Sequence, residues 1–114
     1  MRDPLEYFRF IREKLQDSNK AEALSWLQED GHRTIWEHGN QGSVALVQHL
    51  YDLGALEAIA VGIEGDACCE LIIRLPDDQH ARDQVLAWSG DEAESRGFER
   101  DEDFGQEHLF VFFT

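Results

Sequence analysis

The chain has almost nothing with which to staple, anchor or metallate itself. Its two cysteines, Cys68 and Cys69, are adjacent. Neighbours in a strand point to opposite faces, so they cannot close an ordinary disulfide, and no disulfide framework is expected. That agrees with a reducing compartment. No apolar run approaches the roughly 20 residues that span a bilayer. Met1-Arg2-Asp3-Pro4 lacks the apolar stretch of a signal peptide. The expected location is therefore the cytoplasm, with no membrane partner.

Cations are also scarce. Ten Lys and Arg stand against 24 Asp and Glu, a net charge of −14. Residues 1–20 hold five cations and four acids, a balance of +1, so the remaining five cations and twenty acids leave −15 on residues 21–114. Such a body repels the phosphates of nucleic acids and anionic membrane surfaces. It leaves room for a basic protein partner.

What is present is one domain's worth of chain. It has 114 residues, 42% of them hydrophobic, which supplies a single core. Asp3, Pro4 and Glu6 read as the capped start of a helix carrying Leu5, Phe8, Ile11 and Leu15 on one stripe. A second helix is expected from Asn19, capped with the help of Glu22 and closed by Asp30-Gly31. Residues 1–30 thus read as a helical hairpin appended to a core of residues 31–114.

In that core, residues 33–38 read as a strand and Gly39-Asn40-Gln41-Gly42 as a turn. Ser43 reads as the cap of a helix that Gly54 closes. Residues 56–63 and 67–75 form a hairpin around Glu64-Gly65-Asp66. A helix follows Pro76-Asp77-Asp78, with Ala81, Val85 and Trp88 inward and Gly90 as a weak point costing about 1 kcal/mol against alanine. Residues 108–114 form the last strand. The order β-α-β-β-α-β predicts an α+β, ferredoxin-like antiparallel sheet with helices on one face. Strand parity then leaves an open face at Trp36, Cys68, Glu70, Ile72 and Arg74. Ile59 and Leu71 are expected toward the helices, with Ala60 and Ile72 opposite. The N-terminal hairpin or a second copy would cover the open face.

No motif for catalysis stands out. The five histidines and two cysteines lack zinc-like spacing, and no cofactor is implied. Asp103-Phe104-Gly105 matches a kinase tripeptide without any other kinase element. The third strand offers no aromatic on which a base would stack, so RNA binding is not expected. Gly39, Asn40, Gln41, Gly42 and Ser43, between strand and helix, form a turn whose amides can hold an anion. Residues 91–107 carry eight acids and two arginines, a net −6, and suit a basic partner.

In topology, acidity, the Cys68-Cys69-Glu70 stretch of the third strand and Gly105 ahead of the last, the chain resembles the acidic RraB-type inhibitors of ribonuclease E. The resemblance implies a ferredoxin-like domain that works by binding another protein. The N-terminal helices and the acidic tail depart from it, and no functional residue carries over. The leading expectation is a non-enzymatic protein-interaction or regulatory module, self-associating or bound to a basic protein. The alternatives are a small-ligand or anion sensor using the Gly39–Ser43 turn, and a cofactor-free enzyme.

Overall fold

The computed structural model describes residues 3–113. Helix α1 (Pro4–Leu15) begins as its sequence predicts: the Asp3 side chain accepts from the Leu5 amide and Pro4 holds the first helical position. It buries Tyr7 and Ile11, with Leu15 half-buried behind them. Leu5 and Phe8, expected on the inner stripe, instead face outward, each 57% exposed. Tyr7 and Ile11, four residues apart, define the packed side.

No helical hairpin follows. A two-residue strand β1 (Ala21–Glu22) precedes the short helix α2 (Ala23–Glu29). Glu22 itself caps α2, accepting from the amides of Leu24 and Ser25. Burial pushes the Glu22 carboxyl up, but these bonds and one from the Tyr51 hydroxyl outweigh it and leave it below its ordinary value. The chain continues through β2 (Thr34–Ile35), a 3-10 turn (Trp36–His38), α3 (Gly39–Leu53), β3 (Glu57–Val61), β4 (Ala67–Cys68), β5 (Glu70–Arg74), α4 (Gln79–Ser95) and β6 (His108–Phe112).

The main sheet has the order β1-β3-β5-β6 and is antiparallel throughout. A ferredoxin-like sheet needs a full strand at residues 33–38 for the last strand to lie beside. That strand stops after Ile35, where Trp36 takes φ 51° and the backbone curls into the 3-10 turn. What remains, β2, pairs in parallel with β4 outside the main sheet. β1 takes the position beside β3, and β6 adds to the far side of β5. The observed class is α+β with four helices and a four-stranded antiparallel sheet.

The two faces divide the helices. Ala58, Ala60, Leu71, Ile73, Leu109 and Val111 pack with α2, α3 and α4 around Leu27, Val47, Leu50 and Val85. Ile59, Val61, Ile72 and Phe110 pack with Tyr7, Ile11 and Leu15 of α1. So α1 and α2 lie on opposite faces rather than side by side. The register pairs Ile59 with Ile72 and Ala60 with Leu71, so Ile59 lies under α1 and Leu71 under the other helices. Gly54 closes α3 at φ 117°, and a Cβ there would stand 2.7 Å from that of Ala81. Glycine is needed both for the left-handed turn and for the approach of α4.

Candidate functional site

The five residues of the expected open face do not stay together. Glu70, Ile72 and Arg74 share the face toward α1, and Ile72 is fully buried beneath it. Cys68 is in the opposite core, because β4 ends there and Cys69 interrupts the alternation before β5. Trp36 lies outside the main sheet, in the 3-10 turn, 43% exposed. The Cys68 thiol donates to the carbonyls of Glu70 at 3.1 Å and Val61 at 3.4 Å. Burial pushes its pKa up to about 11. Burial, followed by Glu70 and Glu64, also raises Cys69. An activated nucleophile requires the reverse.

The Gly39–Ser43 segment is not a turn ahead of a helix; it is the first turn of α3. Gly39 enters at φ 70° and the helix runs from there. Ser43 is therefore interior and fully buried. Its hydroxyl accepts from the Ile35 amide at 2.7 Å and donates to the Gly39 carbonyl. Asn40 donates to the carbonyls of Leu27 at 2.9 Å, Arg33 at 2.9 Å and Asp30 at 3.2 Å. Both side chains clamp α2 and β2 to α3. Among the described residues, no three His, Cys, Asp or Glu side chains converge on a metal-sized site.

The surface with unused binding capacity lies elsewhere, along the outer edge of β6. Leu75 N–H donates to Glu107 at 2.7 Å and Phe113 N–H to Cys69 at 2.8 Å. These bonds fix which backbone groups of β6 face β5. Those of His108, Phe110 and Phe112 therefore point away from the sheet. The Phe110 amide donates to the Tyr7 hydroxyl at 2.7 Å. The Phe110 carbonyl and both backbone groups of Phe112 bond to nothing among the described residues.

Residues 96–107 would be free to fall across this edge, but they are strapped to α4 instead. The Arg82 guanidinium grips the Asp103 carboxylate at 2.9–3.1 Å and the Gln106 carbonyl at 2.7 Å. Those Arg82 bonds hold the Asp103 pKa down at about 2. Ser89 donates to Asp101 at 2.8 Å. Arg100 reaches back to Asp91 and Glu94 at 2.8–3.0 Å, its guanidinium lying over Gly90 where a Cβ would stand 2.7 Å from a guanidinium nitrogen. Gly90, expected to weaken α4, is thus the seat of the strap, and the helix continues through it.

A furrow remains between the strap and β6. A cavity of about 200 Å³ lies against Ala93, Arg96, Phe98 and Phe110–Phe112. Cavities of about 260 and 280 Å³ continue it past Tyr7 and Phe104 to the first turn of α1. Phe98, Phe112 and Phe104 are 50%, 43% and 39% exposed along it. Phe10 stands edge-on to Phe110 at 4.8 Å, and Tyr7 to Phe104 at 5.6 Å. Glu99, Asp101 and Glu102 rim the furrow with no cation paired to them among the described residues. Lys14 is committed to Glu70 at 2.6 Å.

Sequence reasoning did not single out Phe98, placed Tyr7 only beside the apolar stripe of α1, and met Phe104 only within the Asp103-Phe104-Gly105 tripeptide. The available signal was two phenylalanines within a segment of net charge −6, where a solvated linker has no use for them. Comparison with models of protein families, with curated proteins and with solved structures found no match.

Proposed function

We propose that the chain is a non-enzymatic interaction module that holds a basic protein partner along the outer edge of β6. One observation carries this: exposed Phe98, Phe104 and Phe112 line a sheet edge with unpaired backbone groups at Phe110 and Phe112, and among the described residues no cation pairs with the rim carboxylates Glu99, Asp101 and Glu102. Aromatic anchors supply binding energy, and unpaired charges steer and select the partner. Taken singly, the furrow's cavities of about 200, 260 and 280 Å³ lie below the roughly 300–1,000 Å³ of small-molecule sites. They suit single side chains. At the Gly39–Ser43 segment the Asn40 and Ser43 side chains are already engaged, and no observation there favours an anion.

Affinity capture from a lysate of cells that express the chain tests the proposal. It compares the natural chain with a Glu99→Lys, Asp101→Lys, Glu102→Lys variant, at about 0.1 M and about 0.5 M salt, where screening shortens to a few ångströms. A partner held by the natural chain at low salt, and lost on charge reversal or at high salt, is expected. A partner held equally by both chains, or no partner at all, overturns the proposal.

A further inference from the structure

We infer that the partner enters as an extended segment of alternating basic and apolar residues, added as a fifth strand to the outer edge of β6. This rests on the interaction reading above and says how that surface binds.

The main sheet has two edges. One is β1, two residues long and too short to template another strand. The other is β6, five residues in unbroken register with β5. Edges of that length are ordinarily blunted by a lysine, a proline, a bulge or a covering loop. His108-Leu109-Phe110-Val111-Phe112 has no lysine, no proline and no bulge, and the neighbouring loop is strapped to α4 across a cavity of about 200 Å³. The Tyr7 hydroxyl on the Phe110 amide already does what a strand would do at that position. It also marks where an added strand must stop. From there to Phe113 the edge offers the Phe110 carbonyl and both groups of Phe112, enough for a short antiparallel pairing.

The flanks dictate the side chains. An added strand lies about 4.8 Å from β6 and alternates its side chains between the two faces. One set points toward α4, into the cavity between Ala93 and Phe98, and is apolar. Glu99 and Asp101 at the mouth call for lysine or arginine at neighbouring positions. The same carboxylates argue against a second copy. Pairing two β6 edges would bring both sets of rim acids together between chains of net charge −14.

A displayed library of random linear dodecapeptides, selected on the whole protein, tests this. The expected consensus alternates apolar residues with Lys or Arg. Selected peptides should lose about tenfold or more in affinity when alternate backbone nitrogens are methylated, since each methyl removes a donor without touching a side chain. Hydrogen exchange at the Phe112 amide should slow on binding. Phe112→Pro should abolish binding while Phe112→Ala, which keeps the amide, only weakens it. Because that amide faces away from β5, proline there spares the ladder. Should the proline variant fail to fold, the methylated peptides and the exchange measurement still decide. An empty selection, or peptides indifferent to methylation with no change at Phe112, overturns the strand addition. If the lysate capture still yields a charge-dependent partner, the interaction reading survives and the partner docks as a folded surface. If both fail, that reading falls as well.

Discussion

Ser43 and Asp103 show how single side chains hold this fold in place. Replacing Ser43 with alanine leaves the buried Ile35 amide without its acceptor. The expected cost is about 1–3 kcal/mol, read as a lower denaturant midpoint. The residue type pointed to a helix cap, but a cap is defined by where the helix begins. Gly39 at φ 70° begins it four residues earlier, and nothing in the sequence around Ser43 reports that torsion. The same blindness applies to Trp36, whose φ of 51° ends a strand that its neighbours, Thr34 and Ile35, favour. Asp103 makes a prediction about acid. Its folded pKa of about 2 lies below the unfolded value of about 3.8, so its contribution is full above that value and is lost as the pH falls toward 2. Asp103→Asn should therefore be less stable than the natural chain at neutral pH. The difference should close between about pH 4 and pH 2, a window that paired unfolding curves would reveal.

At the scale of elements, α1 is the piece whose placement matters most. It seals one sheet face through Ile11, 4% exposed and packed on Val61 and Ile72. Ile11→Ala should cost about 2–5 kcal/mol, the usual range for emptying a buried aliphatic site. Amide exchange should then quicken in α1 before β3 and β5, because only one layer of side chains holds the helix down. Much at this scale was legible. The capped start of α1, the antiparallel pairing of β3 with β5, a helix after Pro76-Asp77-Asp78 and the final strand all follow from caps, alternation and turn residues. What was not legible had a physical reason. Two residues of β1 carry no periodicity, so Glu22 read as a distant capping partner rather than as strand end and cap at once. The break at Cys69 reversed the side assignments upstream of it. Helix amphipathicity shows that α1 has an apolar side but not which face of which sheet receives it, nor that Tyr7 would reach over the edge of β6.

At the scale of the whole molecule, charge dominates. A net charge of −14 on 114 residues repels itself in the folded state, and salt screens that repulsion. The melting temperature should rise between about 20 mM and about 200 mM sodium chloride, the range over which the Debye length falls from roughly 20 Å to under 10 Å. A fall would mean that ion pairs such as Arg82–Asp103 outweigh the general repulsion. The acidic excess was plain in the sequence. The furrow was not, because it depends on the strap that holds residues 96–107 to α4 beside the edge. The strand order has a consequence for how the chain is made. Strands β1, β3, β5 and β6 lie in the sheet in the order in which they leave the ribosome. Each newly emerged strand can therefore join the edge of what has already formed, with none to be threaded between earlier ones. Synthesis and folding can advance together until β6 arrives. The Tyr7 hydroxyl then meets the Phe110 amide across 103 residues of sequence. That contact forms only once β6 is in place.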